Sequence, residues 1–241
     1  MLDPLKYSCG LEKELLYRIL PAVSRSFYLS LRVAPTKVRR SLGLGYLFCR
    51  AADTMADTEI LPPELRTHYL TRFREAFDHG GGHFCSELRQ NMNGQNSPSA
   101  EHRLLQNLDA CFMYFDGLEP DERKHIRNLV LTLTQGMEMD LRLFGSRADG
   151  DITALETMDE LEKYMYLVAG CVGEFWTRLA LEYLPALGQC DAQEMIGRSV
   201  RFGKGLQLTN ILRDIPADLR IGRCYLPREE LARFGIEPEA L

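Results

Sequence analysis

Apolar residues recur at helical spacing along nearly the whole chain, and this periodicity restricts the fold more than any other feature of the sequence. They return every three or four positions, and no stretch alternates apolar and polar residues as a half-buried strand does. Clusters of Gly, Pro, Asn and Ser separate the periodic stretches. The pattern predicts an all-α protein with helices over residues 11–20, 36–57, 63–78, 100–115, 121–143, 158–184 and 191–215.

The breaks between these helices are short enough to be loops within one domain. The longest is the polar segment 79–99, which is predicted to be an irregular surface loop. The chain has 241 residues, of which 45% are hydrophobic and 26% are charged. This composition suits a single globular domain with a substantial core. Further breaks are predicted at Pro21, at Pro62 and Pro63, and over 145–151.

Two aspartates four residues apart, Asp53 and Asp57, end an apolar stretch. Residues at this spacing share a helix face, so both carboxylates point to one place. Residues 42–52 are mostly apolar and are expected to be buried, so the carboxylates need a cation. Arg50 is one candidate, and Mg²⁺, which prefers oxygen ligands, is another. Paired aspartates are also common on solvated helix faces, and this alternative stays open.

A second polar stripe follows near the end of the chain. Its members, Gln207, Asn210, Asp214 and Asp218, are spaced by three or four residues within an apolar stretch that is also expected to be buried. Because proline lacks an N–H and clashes with the preceding turn, the helix is predicted to kink or end near Pro216, just before Asp218. Two such clusters facing each other would clamp a diphosphate through bridging Mg²⁺ ions.

Charge and sequence signals exclude several protein classes. A net charge of −5 argues against a nucleic-acid partner and disfavours an anionic lipid surface. No apolar stretch reaches the ~20 residues of a membrane-spanning helix, and no secretion signal stands out at the start. The cysteines form no CxxC pair, which predicts a reduced, cytoplasmic protein. The histidines show no zinc-site spacing.

Two pairs of glycines need a separate explanation. Gly203 and Gly205 are too close together to form a phosphate-binding loop, and no strand precedes Gly43 and Gly45. Both pairs are therefore predicted to permit close packing between helices.

Segments along nearly the whole chain carry a family resemblance. They are SRSF at 24–27, YLFCRAADTMAD at 46–57, YMYLVAGCVG at 164–173 and QLTNILRD at 207–214, the last followed by GRCYLP at 222–227. In this order they resemble the squalene/phytoene synthase family. The resemblance implies one domain over residues 1–241, an isoprenoid-synthase-type helical bundle with a central apolar cavity. It also implies that the family's last C-terminal helices are lacking.

The resemblance implies a reaction as well. Family members join two allylic prenyl diphosphates head to head through a cyclopropyl diphosphate. The single leading aspartate of the first cluster favours farnesyl diphosphate and squalene, with NADPH as reductant. The second cluster looks more like that of a phytoene synthase, which uses geranylgeranyl diphosphate. Three more possibilities stay open: a relative that forms presqualene diphosphate or hydroxysqualene, a non-enzymatic assembly factor and a head-to-tail prenyltransferase. Peripheral membrane contact for product release is also expected.

The resemblance assigns roles to individual residues. Asp53, Asp57, Asn210, Asp214 and Asp218 would hold Mg²⁺. The diphosphate contacts would come from Ser24, Ser26, Arg50, Gln207, Asn210 and Arg213, whereas Tyr46 and Tyr164 would act near the reacting carbons. The alternatives are a helix N-cap for the serines, structural ion pairs for the arginines, satisfied core amides for Gln207 and Asn210, and core packing for the tyrosines.

Overall fold

A computed structural model describes residues 10–24, 27–57, 60–92, 99–145 and 152–241. The chain divides into two compact units. The first unit comprises the described residues up to Thr134 together with Leu179–Gly188, and the second comprises Gln135–Arg178 with Gln189–Leu241. Each unit is described below by itself.

Helices dominate the described residues. The α-helices, in chain order, are α1 (10–14), α2 (Leu20–Ser24), α3 (Phe27–Val33), α4 (Thr36–Asp57), α5 (Pro63–His79), α6 (Gly82–Asn91), α7 (Ala100–Gln106), α8 (Leu108–Asp116), α9 (Pro120–Phe144), α10 (Met158–Met165), α11 (Cys171–Tyr183), α12 (Ala192–Arg220) and α13 (Arg228–Ala232). Two π-helices, Leu15–Ile19 and Tyr166–Gly170, and two 3₁₀ turns, Pro185–Leu187 and Pro238–Ala240, complete the helical elements. The all-α prediction is confirmed.

Two very short strands accompany the helices, although the sequence predicted none. They are β1 (Thr153–Ala154) and β2 (Arg223–Cys224), which pair in parallel with Thr153 opposite Arg223. Strands of two residues are too short to show an alternating pattern, so the sequence contained no signal for them.

The first unit is built around an aromatic cluster that packs against α4. The Phe48 ring lies 4.9 Å from that of Phe77 and 5.0 Å from that of Phe112, centroid to centroid. Phe73 and Phe115 extend the cluster. Aromatic side chains bury large areas and favour these tilted and edge-on contacts. The expected burial of the apolar stretch before Asp53 is confirmed, because most of that stretch is buried.

Close helix packing organises the second unit. A Cβ atom added at Gly203 of α12 would lie 2.6 Å from the Ala169 carbonyl oxygen, and one added at Gly173 would collide with the Ser199 carbonyl oxygen. The helices approach this closely only because both positions lack side chains. The packing prediction is therefore confirmed at Gly203, whereas a Cβ at Gly205 would meet no atom within 4 Å.

Side-chain caps fix where the helices of the second unit begin. Thr157 accepts a hydrogen bond from the Glu160 N–H at 3.2 Å, and Asp191 accepts one from the Glu194 N–H at 3.0 Å. The Glu160 carboxylate in turn accepts a bond from the Glu156 N–H at 2.7 Å. Such caps satisfy backbone donors that the first helical turn leaves unpaired.

Several predicted boundaries are wrong. Pro21 does not break its helix, because it stands in the first turn of α2, where a missing N–H costs little. The predicted helix 100–115 divides at Asn107 into α7 and α8. Short helices α3 and α13 were not predicted. The predicted loop 79–99 contains α6, which buries Phe84, Cys85 and Leu88.

Pro216 does not end α12, which was predicted to stop near residue 215 and instead continues to Arg220. Proline removes the donor for the carbonyl of Leu212. Leu212 and Pro216 are both exposed, so water can solvate that carbonyl. The expected burial of this stretch is wrong in part, since Leu206 and Leu212 are each 53% exposed. Among the described residues, no helix combines the length and hydropathy that crossing a bilayer requires.

Candidate active site

In the first unit, α4 carries the predicted site residues Tyr46, Arg50, Asp53 and Asp57 on a single helix. The Arg50 guanidinium donates hydrogen bonds to Asp53 and, at 2.8 Å, to Glu101 of α7. The structural ion pair that was the alternative for Arg50 is therefore present.

One donor of Arg50 has a different environment. Its Nε atom is buried and has no hydrogen-bond partner within the described part of the chain. A buried donor left unpaired costs about 1–3 kcal/mol. An oxygen-rich anion beside α4 would relieve this cost. Arg50 could therefore bind an anion in addition to its two carboxylate partners.

The electrostatics of the first cluster favour a further cation. Burial raises the pKa of the Asp53 carboxyl, and the charges of Asp57 and Glu101 raise it further, against the opposing effect of Arg50. Carboxylate oxygens of Asp53 and Asp57 are the donor type that Mg²⁺ prefers, and the ion is usually held by one or two carboxylates with phosphate oxygens and water. The two side chains therefore fit this ion.

The remaining predicted residues of the first unit are engaged within it. The Tyr46 ring stacks on Phe27 with 5.3 Å between centroids, and its hydroxyl lies 3.4 Å from the Val23 carbonyl oxygen. The Ser24 hydroxyl is buried and donates to the Leu20 carbonyl at 2.6 Å. Ser24 is the last residue of α2, so the N-cap alternative for it is wrong. Ser26 lies outside the described residues.

In the second unit, α12 presents the second polar stripe on one continuous helix. Gln207, Asn210, Asp214 and Asp218 are all half-buried. Since the helix does not end at Pro216, Asp218 stays in helical register with Asp214. The pKa of the Asp218 carboxyl is raised by burial and by the Asp214 charge, so this pair also favours a cation.

Arg213 forms the ion pair that was the alternative to a diphosphate contact. Its guanidinium fork donates to both Asp214 oxygens, at 2.8 Å and 2.6 Å. These hydrogen bonds lower the pKa of Asp214. The Asp214 side chain is 43% exposed, so water weakens this attraction and a ligand can compete for the carboxylate.

Tyr164 is part of an aromatic and ionic network that the sequence did not predict. Its buried ring stacks on that of Tyr225 with centroids 4.8 Å apart. The Tyr225 hydroxyl donates to Asp140 at 2.8 Å, and the Arg223 guanidinium donates to the same carboxylate at 3.1 Å. Asp218, Arg223 and Tyr225 also line one small recess. The network therefore connects Tyr164 to the end of the polar stripe.

The local sequence explains how β2 and the residue after it carry two of these side chains. Gly222 follows α12 with a φ of 70°, a left-handed conformation that glycine adopts readily. The chain then reverses into β2, where the Thr153 N–H donates to the Gly222 carbonyl at 3.0 Å. Arg223 and Tyr225 belong to the GRCYLP segment, so that motif could have indicated them. Asp140 and Glu101 have no such signal.

No group of three His, Cys, Asp or Glu side chains within the described ranges is arranged to hold a metal ion. The pairs on α4 and α12 would therefore supply only part of the ligand set of an Mg²⁺ ion, and other oxygens would have to complete it. The two pairs belong to different units, and their facing each other stays a prediction.

The described residues are predominantly helical, and α4 and α12 each carry a pair of aspartates. The family model described as squalene/phytoene synthase matches residues 20–241. The chain belongs to the squalene/phytoene synthase family.

Individual relatives carry different names within this family. The chain is 32% identical over 219 residues to a presqualene diphosphate synthase from Zymomonas mobilis, covering 89% of the chain and 60% of the relative. It is 29% identical to a bifunctional lycopene cyclase/phytoene synthase from Podospora anserina, covering 91% of the chain and 36% of the relative. The chain thus spans less than two thirds of either relative.

A solved structure shares the fold. Squalene synthase HpnC from Alicyclobacillus acidocaldarius superposes with a TM-score of 0.61 at 21% identity, covering 97% of this chain and 72% of that one. At this identity the likeness concerns the fold alone.

Proposed function

We propose that the chain catalyses the head-to-head condensation of two allylic prenyl diphosphates through a cyclopropyl diphosphate intermediate. The observation that carries this proposal is the buried Nε of Arg50, which finds no hydrogen-bond partner among the described residues and lies on the same helix as Asp53 and Asp57. A diphosphate with its cations would satisfy the donor and the carboxylates together.

Mg²⁺ would be held by Asp53 and Asp57 on α4 and by Asn210, Asp214 and Asp218 on α12. When bound, the ion supplies Lewis-acid neutralisation of the charge that develops on the leaving diphosphate. The raised pKa values of Asp53 and Asp218, each caused partly by a neighbouring carboxylate, support this assignment.

Further side chains would orient the substrate and protect the reacting carbons. Arg50 and Arg213 would direct their guanidinium donors at diphosphate oxygens, which suit a planar fork. Ser24, Ser26 and Gln207 are proposed as additional diphosphate contacts. The ring of Tyr164, held in place by Tyr225, would face the allylic cation, and its hydroxyl would assist proton transfer, with Tyr46 in a similar role.

The favoured substrate is farnesyl diphosphate and the favoured product is squalene. In that reaction two C15 units would lose two diphosphates, and NADPH would supply the hydride for the reductive second half. The relative named presqualene diphosphate synthase supports the alternative in which a C15 substrate gives a product without a reductant. The relative named bifunctional lycopene cyclase/phytoene synthase supports the alternative that uses geranylgeranyl diphosphate. A non-enzymatic assembly factor remains the alternative of another class.

The test is incubation of the purified chain with Mg²⁺ and either farnesyl or geranylgeranyl diphosphate, with and without NADPH, followed by mass identification of the lipids. A C30 hydrocarbon that requires NADPH would support squalene synthesis. A C30 diphosphate or alcohol without NADPH would indicate the presqualene or hydroxysqualene alternative, and a C40 hydrocarbon would indicate phytoene.

Matched variants make the result specific. Asp53→Asn should remove turnover, whereas Asp116→Asn, which changes an exposed carboxylate at the end of α8, should leave it unchanged. No product from either substrate would favour the non-enzymatic alternative. Full activity in Asp53→Asn would refute the metal assignment.

A further inference from the structure

The surface formed by α3 and the start of α4 is strongly basic. Residues 27–40 contain Arg32, Lys37, Arg39 and Arg40 and no acidic residue, in a chain whose net charge is −5. The Arg39 guanidinium donates a hydrogen bond to the Ala34 carbonyl oxygen at 2.8 Å. The basic character of this segment is therefore local and opposite to that of the whole chain.

Large apolar side chains are exposed on the same segment. Leu29 is 65% exposed and Val33 is 82% exposed. They are four residues apart on α3, so they share a face. Arg32 lies three residues after Leu29 and is therefore its neighbour on the helix surface. Burying such side chains in a lipid interface is favourable because it removes apolar area from water. We refer to residues 27–40 as the α3–α4 patch.

A recess of about 590 Å³ opens between this patch and the helical residues 12–20 that precede it. Three buried leucines, Leu16, Leu20 and Leu31, give it an apolar wall. Lys37 and Arg40, which are exposed, also line it. Among the described residues, its lining also includes Arg32 and one acid, Glu12. An apolar recess with basic side chains matches an amphiphile that has an anionic head.

We propose that the α3–α4 patch docks on an anionic lipid bilayer. Leu29 and Val33 enter the headgroup boundary, while Arg32, Lys37 and Arg40 contact lipid phosphates. The net charge of the chain disfavoured an anionic surface, but a membrane within a Debye length of the protein responds to the side chains that face it. Docking would let a hydrocarbon product leave into lipid, and only this last benefit rests on the proposed function.

Vesicle sedimentation of the whole chain tests the proposal without any need for activity. Binding to phosphatidylcholine vesicles should rise as phosphatidylglycerol is added and should fall as salt increases. Arg32→Gln and Lys37→Gln should each weaken binding by about fivefold, the contribution of one basic side chain near an anionic surface. Leu29→Glu should weaken it by about tenfold or more, because a charge then enters the lipid boundary.

Phe234→Glu is the matched control, because it places the same charge at another apolar side chain, 77% exposed. Residues 228–241 contain two cations and four acids, so no basic surface surrounds it. Its vesicle binding should equal that of the unmodified chain.

Three results would overturn the proposal. The first is no binding to phosphatidylglycerol vesicles, and the second is equal binding by Leu29→Glu and Phe234→Glu. The third is full displacement by millimolar glycerol phosphate, which would show a pocket for a soluble anion. Loss of prenyl condensation with vesicle binding retained would refute the proposed function alone.

Discussion

Replacing Gly203 with alanine should destabilise the second unit, although alanine is the better helix former. The added Cβ would lie 2.6 Å from the Ala169 carbonyl oxygen and 3.0 Å from the Ala169 carbonyl carbon. These atoms belong to the backbone of the π-helix Tyr166–Gly170, so they cannot rotate aside as a flexible side chain would. The two helices must separate to admit the methyl group.

The magnitude follows from two opposing effects. Inserting a methyl group into a packed contact costs about 1–3 kcal/mol, and replacing glycine by alanine inside a helix returns about 1 kcal/mol. Gly205, on the same helix, would meet no atom within 4 Å of its added Cβ. Gly205→Ala therefore gains helix propensity without the steric cost, and the difference between the two variants isolates the cost of the contact.

Urea unfolding monitored by Trp176 fluorescence gives the assay, because the single tryptophan of the chain lies in the second unit. Gly203→Ala should unfold with a free energy about 3 kcal/mol below that of Gly205→Ala, at the upper end of the steric range because the clash is with backbone. In thermal unfolding this gap corresponds to about 6–12 °C for a protein of this size. Equal unfolding midpoints for the two variants would refute the close approach of α12 to this π-helix.

Three further changes test the candidate site. Asp214→Asn should lower turnover at least about a hundredfold, the effect of losing one preorganised electrostatic contact, with circular dichroism unchanged; retained turnover would exclude a metal role. Asp140→Asn should destabilise the chain by about 1.5–3 kcal/mol, because Arg223 and Tyr225 both donate to this charged carboxylate. Tyr225→Phe removes one donor to the same charged carboxylate and should cost about 1.5 kcal/mol, the lower end of that range. Both free energies of unfolding are measured by Trp176 fluorescence. An unchanged free energy of unfolding in Asp140→Asn would contradict the network.

The long helices were predictable because their apolar spacing extends over many turns. Residues 36–57 were predicted as one helix, and α4 has those bounds. The short helix α6 was missed, because its ten residues contain few apolar positions and begin with the last of three consecutive glycines. Its burial depends on tertiary contacts of Phe84 and Leu88, which override weak local signals.

The candidate site was predictable where its residues share one helix. Arg50 and Asp53 are three residues apart, and their ion pair follows from that spacing. Glu101 joins the pair from 51 residues away, and no local pattern indicates it. The contact between Asp140 and Tyr225 was missed for the same reason, since 85 residues separate the two side chains.

By itself, the sequence determined the helical class, the two carboxylate pairs and the family, because periodicity and spacing are local properties that one helix preserves. Only the tertiary structure decided that α12 continues past Pro216 and that the Tyr164 ring stacks on Tyr225. It also decided that Arg50 keeps a buried donor with no partner in the part of the chain that is described. These outcomes depend on solvent access and on atoms brought together from distant positions. Such contacts are fixed by packing, which the order of residues along one segment does not specify.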